Sequence, residues 1–347
     1  MHKNNNFDFL RFLFAVFVVI SHAYPLSGVD EGSQWVYQVS NGQIVWAQLG
    51  LSGFFVISGY FIFQSLQRSK SVLSYFKKRF LRLFPALFFV LLLTVLLTPF
   101  VYHGNVSYFY NTEVYTYLPR NIVLYGFQSG IKGVFDSNFY HAINGSLWTI
   151  RYEFSLYIAI GFLYIFRKNI KVVRLLLSLV FIILFVTYNF FIDRFAGSSI
   201  LGMQGYHILN LGTFFICGSL FASFSFEKII SKFHLIIAIA VFILAIYFNF
   251  FNAIKHIPFP VIVLLIGFNA LPFFSTFGKI GDMSYGIYIY SFPVQQTLVY
   301  FFKLNTYQLM IYSLLISIIC GFLSWHLIEK KALVYKNKKL FNLSFKK

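Results

Sequence analysis

Three ionisable residues, Asp8, Arg11 and His22, sit inside the first long apolar run of the chain, and no other feature limits the fold as much. Arg11 and His22 are spaced Arg-x10-His. Eleven helical residues at about 100° each return to within about 20° of the starting direction, so both side chains share one stripe of a helix, with Asp8 slightly to one side. An ionisable group at membrane depth costs roughly 2.5 kcal/mol or more. Three on one stripe therefore predict a helix that lines a polar interior rather than one that faces lipid.

The rest of the chain fits that reading. It is 59% hydrophobic and only 11% charged over 347 residues, far from the balance of a soluble domain. Runs of about 20 largely apolar residues match a hydrocarbon core of roughly 30 Å. Ten are placed near 7–27, 45–66, 84–102, 146–166, 172–192, 205–224, 234–251, 257–275, 284–303 and 307–328. The expectation is an all-α polytopic membrane bundle of about ten transmembrane helices, with no internal repeat and no linker. A transmembrane domain would cover 1–331, followed by a basic cytoplasmic tail at 332–347 suited to anionic headgroups. Ser21-His22-Ala23 loosely matches a signal-peptide cleavage site, but cleavage would discard the charged stripe, so the first run is read as a retained span.

A net charge of +18 raises the question of nucleic acid. The positive residues are instead distributed by topology. With the amino terminus inside, 22 of the 28 Lys and Arg fall in cytoplasmic segments and five outside (Arg120, Lys132, Arg194, Lys255 and Lys303), while Arg151 lies within a span. That bias places both termini in the cytoplasm and argues for membrane lipid, not nucleic acid, as the charged partner. Cys217 and Cys320 fall in predicted spans and read as packing residues, with no metal site. No HExxH, CxxC, GxGxxG, Walker loop or GxSxG elbow is present, against a metalloprotease, a nucleotide-driven motor or an ordinary serine hydrolase.

Two groups of residues have chemical potential beyond the first span. Lys78, Arg79 and Arg82 follow the second span on the inner side. On an interfacial helix Arg79 and Arg82, three apart, face the same way and suit a phosphate, although plain topogenic charge explains them too. On the outer side Trp148 marks an interface, and Glu153 lies about five residues deeper, near the depth of His22 on an antiparallel span. A carboxylate beside imidazole fixes its tautomer and keeps it basic. The other reading is an internal hydrogen-bonded or ion-paired group, such as Arg11 with Asp8. Ser58 has no neighbouring base in sequence and reads as packing, within the small-residue run Gly50 to Gly59. His2, His103, His141, His207, His234 and His256 read as solvated or interfacial. The long outer segment 103–144 is either a lid or acceptor surface or a folded cap.

The motifs Asn6-Phe-Asp8-Phe-Leu-Arg11 with His22, Phe54-Phe-Val-Ile-Ser58-Gly59, Lys78-Arg79-Phe-Leu-Arg82-Leu-Phe-Pro85, Ser146-Leu-Trp148-Thr-Ile-Arg-Tyr-Glu153 and Ser284-Tyr285-Gly-Ile-Tyr288 together resemble the acyltransferase-3 family of membrane O-acyltransferases. The likeness covers essentially the whole chain. It departs near the carboxyl end, where Ser291 stands in place of a frequent His and a common proline is replaced near Ala332. The resemblance implies a multi-pass enzyme of the bacterial inner membrane. Such an enzyme takes an acyl group, usually acetyl from cytoplasmic acetyl-CoA, to a hydroxyl of an extracytoplasmic carbohydrate such as O-antigen, capsule or exopolysaccharide. It implies catalytic roles for Arg11, His22 and Glu153, and donor binding at Arg79 and Arg82. His22 is the expected general base, Lys78 adds positive field, and Arg11, held by Asp8, lines the donor route. The alternatives are an acyl-enzyme on His22 or a serine and, from another class, a transporter or flippase for a lipid-linked sugar.

Overall fold

A computed structural model describes residues 5–228, 231–269 and 271–337. Eleven helices carry the architecture: α1 (Phe7–Leu26), α2 (Trp46–Gln67), α3 (Val72–Leu97), α4 (Thr112–Ile122), α5 (Trp148–Phe162), α6 (Ile170–Phe190), α7 (Gly205–Ser223), α8 (Lys232–Tyr247), α9 (Pro258–Phe268), α10 (Ser284–Phe301) and α11 (Thr306–Ser324). The only strands among the described residues are the pair Ser199–Ile200 and Met203–Gln204, closed by Leu201 and Gly202 with positive φ. Positive φ at both central residues matches the right-handed twist of a two-residue hairpin.

The all-α membrane architecture stands, but the count of ten spans does not follow from it. Each of the ten windows holds a helix, yet among the described residues seven helical segments are long and apolar enough to cross a bilayer. The number is eight if Pro258–Phe268 and Pro272–Lys279, bent by 80°, make one span. α8 is short, and α10 carries serines, tyrosines and two glutamines that lower its hydropathy. At the carboxyl end, helical residues Lys330–Val334 run on across position 331, and 338–347 of the expected tail lie outside the described residues.

α2 and α7 form the centre of the bundle, and they touch backbone to backbone. A Cβ on Gly59 would lie 2.0 Å from the Phe215 carbonyl oxygen, and one on Gly218 would lie 2.2 Å from that of Val56. Ser219 Oγ donates to the Gly59 carbonyl at 3.0 Å across the same contact. Without a hydrophobic force between helices in lipid, such close approach and hydrogen bonding hold the pair. The amino end of α1 is fixed by Asn6, whose Nδ2 donates to the carbonyls of Ile266 (2.8 Å) and Asn269 (2.7 Å), capping the end of α9.

Residues 103–144 are folded and pack against α3 and α10. α4 is N-capped by Asn111, and Asn138 donates to both the carbonyl and Oε1 of Gln296 on α10, at 3.0 and 2.9 Å. Lys255 and His256 in the α8–α9 turn also depart from expectation, being 1% and 0% exposed. The turn tucks inward, so that His256 Nε2 bonds Asn210 Oδ1 at 3.0 Å and its ring packs on Phe214, while Lys255 lies over the Tyr188 ring. Burial pushes the Lys255 ammonium down to about 7.

Gly59→Ala should force α2 and α7 apart and cost on the order of 1–3 kcal/mol. It should lower the apparent Tm of the detergent-purified protein, while Gly197→Ala, with nothing within 4 Å of its Cβ, leaves it unchanged.

Candidate active site

The polar residues inside the bundle fall at three levels. At the level of the amino end of α1, two arginines meet three carboxylates. Arg11 Nη1 lies 3.4 Å from Asp8 Oδ1 and 3.5 Å from Asp282 Oδ2. Arg82 Nη2 bonds the same Asp282 oxygen at 2.6 Å, and its Nη1 lies 3.4 Å from Glu329 Oε2. Glu329, 1% exposed, also accepts from Ser324 Oγ at 2.9 Å. It is carried inward by the π-helical turn Trp325–Glu329, a local widening that recurs at functional positions. Burial alone would raise the Asp282 carboxyl, but the guanidiniums of Arg82 and Arg11 and the Ser284 hydroxyl hold it below the ordinary carboxylate value.

The middle level is built on α5. Thr149, Glu153 and Tyr157 recur every four residues and so share one face of that helix. Glu153 Oε1 accepts from Ser58 Oγ at 3.0 Å and from the Tyr157 hydroxyl. Below this level, one turn nearer the start of α3 than Arg82, Arg79 packs over the rings of Tyr75 (5.3 Å) and Tyr157 (5.9 Å) and donates to Ser65 Oγ at 3.1 Å, while its buried Nη1 has no hydrogen-bond partner. Lys78 Nζ reaches Ser69 Oγ at 3.4 Å. Thr149 Oγ1 meets the Tyr288 hydroxyl at 2.5 Å.

His22 occupies the third level, about 16 Å along α1 from Arg11 by helical rise. Its ring meets the edge of Phe292 at 5.3 Å, and Tyr140 of the 103–144 segment packs on the same Phe292 at 5.8 Å. Its Nδ1 is buried without a hydrogen-bond partner.

These positions sort the sequence expectations. Asp8 and Arg11 pair as expected. Arg79 and Arg82 do not form one fork, because Arg82 turns to Asp282 and Glu329 while Arg79 turns to tyrosines and Ser65. The hydrogen bonds of Glu153 go to Ser58 and Tyr157 rather than to His22. The reason is packing: α2 lies against both α1 and α5 and presents Ser58 to the carboxylate. Arg151, two residues from Glu153 and so on another face, stacks on Phe127 and Tyr152 instead. Sequence reasoning missed Asp282, Glu329 and Tyr157 as members of the site. Asp282 directly precedes the Ser284-Tyr285 motif, and Tyr157 continues the fourfold spacing of α5, so both signals were present.

The bundle thus carries a network of ion pairs at one end of α1 and an imidazole without a hydrogen-bond partner toward the other. The family profile described as Acyltransferase domain matches residues 4–328, and the chain belongs to the acyltransferase-3 family. It is an O-acyltransferase, which sets aside the transporter reading. It is 30% identical to an O-acetyl transferase of Shigella phage Sf6 over 98% of this chain and 99% of that protein. It is 33% identical to nodulation protein 10 of Rhizobium leguminosarum bv. viciae over 46% of this chain and 44% of that protein. No solved structure matches.

Because Arg82 Nη2 meets Asp282 Oδ2 at 2.6 Å, the energies of Arg82 and Asp282 should be coupled. A double-mutant cycle with Asp282→Asn and Arg82→Gln, read by thermal denaturation in detergent, should give a coupling of about 0.5–3 kcal/mol. Strict additivity would mean the pair contributes nothing.

Proposed function

We propose that this O-acyltransferase moves acetyl from cytoplasmic acetyl-CoA to a hydroxyl of an extracytoplasmic polysaccharide or glycolipid, in a bacterial inner membrane with both termini inside. The kinship with a phage O-acetyl transferase over nearly the full length supports acetyl as the group. The observation that carries the mechanism is the buried, unpartnered Nδ1 of His22.

His22 takes the proton of the acceptor hydroxyl as its oxygen attacks the thioester carbonyl. The carbon–sulfur bond then breaks, and the departing coenzyme A thiolate recovers the proton from the imidazolium. Lys78 and Arg79 receive donor phosphates at the inner end, and the unpaired Nη1 of Arg79 supports that role. Arg82, held by two carboxylates, fixes the inner end of α3 against α10 and the end of α11. Arg11 and Asp8 line the donor route, and Glu153 orders Ser58 and Tyr157 along it. An acyl-enzyme on Ser58 is the second reading, supported by the Ser58 hydroxyl donating to Glu153.

His22→Ala should lower acetyl transfer from labelled acetyl-CoA to surface polysaccharide by about 10² to 10⁴. The variant should keep the wild-type melting temperature, and full transfer by such a protein would rule out the base. Incubation with labelled acetyl-CoA in the absence of acceptor should leave no label on the protein. Label retained by wild type and lost in Ser58→Ala would establish the acyl-enzyme instead.

A further inference from the structure

A second cationic site lies beside Lys78 and Arg79 and belongs to none of the family motifs. A cavity of about 440 Å³ opens where the carboxyl ends of α2 and α7 meet the start of α6. Its charged lining is Arg68, Arg167, Arg174 and Glu227, three guanidiniums against one carboxylate, with Gln64, Gln67 and two serines beside them. The carboxylate is engaged, since Glu227 Oε2 accepts the Tyr60 hydroxyl. Two of the guanidiniums are anchored by backbone. Arg174 donates Nε and Nη2 to the Ser223 carbonyl at 3.1 and 2.8 Å, and Arg167 donates Nη1 to the Ser69 carbonyl while stacking on Tyr164.

Each guanidinium has five N–H donors, so both arginines keep donors beyond those anchoring bonds. Gln67 Nε2, on the cavity wall, is buried with no acceptor. Buried donors in folded proteins are almost always paired, so an orphan among cations marks a place where an acceptor belongs. The missing partner must be anionic and rich in acceptors, and tetrahedral phosphate meets both needs.

We infer that this cavity binds a phosphate group of a ligand at the membrane surface, with Arg68, Arg167 and Arg174 on its oxygens and Gln67 Nε2 as a further donor. Ser69 joins the site to the neighbouring cations, because its carbonyl accepts Arg167 and its hydroxyl receives Lys78. Coenzyme A carries phosphate at two separated places, which matches two adjoining cationic groups. That identification of the ligand rests on the function proposed above. The phosphate chemistry does not, since an anionic lipid headgroup would satisfy the same donors.

The test uses the full chain in nanodiscs of phosphatidylcholine, titrated with coenzyme A by calorimetry without acceptor. Gln67→Glu places a carboxylate where the phosphate sits, and Arg68→Ala removes an exposed cation with little risk to folding, which a melting curve checks. Each should raise the Kd for coenzyme A by about tenfold or more, since bonds to charged groups are of that strength. In a second arm, native mass spectrometry reads phosphatidic acid retained from mixed nanodiscs. Unchanged Kd with loss of that lipid in the variants assigns the phosphate to a headgroup. Unchanged Kd and unchanged lipid retention in folded variants overturns the site. Because both arms read binding, a wild-type protein that failed to transfer acetyl would sink the proposed function and leave this result standing.

Discussion

One carboxylate oxygen, Asp282 Oδ2, lies within 3.5 Å of two guanidiniums from different helices, and one end of the bundle depends on it. A cation cannot stay in an apolar bundle unless its charge is met, because desolvation without a partner costs several kcal/mol. Arg11 and Arg82 meet that condition together. By doing so they pin α1 and α3 to the loop before α10, and Glu329 adds the end of α11. Four elements are thereby held at one point by charge, in a medium where apolar contact alone gives no preference for one helix neighbour over another.

α2 connects that charged end to the rest of the site. Gly59 lets α7 approach its backbone, Gly50 and Gly53 pack against Phe14 of α1, and Ser58, one residue from Gly59, meets Glu153 of α5. Its carboxyl end supplies Ser65 to Arg79, Ser69 to Lys78 and Arg167, and Gln67 to the basic cavity. Packing and polar chemistry alternate along a single helix. For that reason a substitution at Gly59 should disturb both.

Much of this was legible in the sequence, and the limits have physical causes. The Arg-x10-His stripe marked α1 as an interior helix because charge is expensive in lipid, and the structure pairs Asp8 with Arg11 as that cost requires. Span count was less secure, since α10 buries tyrosines and glutamines that hydropathy scores as polar. The joining of Arg82 to Asp282 and Glu329 spans 200 and 247 positions of chain, and no local spacing encodes it. Matching depth placed Glu153 near His22, but depth on two antiparallel helices says nothing about which helix lies between them. Burial of Lys255 and His256 escaped notice for a similar reason, as a short turn between apolar runs reads as exposed until its neighbours are known.

The position of His22 bears on the proposed transfer from a donor on one side of the membrane to an acceptor on the other. A carboxylate held permanently on its imidazole would favour the protonated ring. Here the carboxylates are elsewhere: three sit with the arginines about a dozen residues along α1, and Glu153 is engaged by hydroxyls. The ring instead lies against Phe292, with Tyr140 of the 103–144 segment on the far side of that phenyl. Its Nδ1 has no hydrogen-bond partner there, so no neighbouring side chain competes for that nitrogen. On the proposed mechanism, the separation of carboxylates from imidazole along α1 is therefore functional. It leaves the anionic charge to order the arginines, and an unpartnered imidazole at the end the acceptor alcohol must reach.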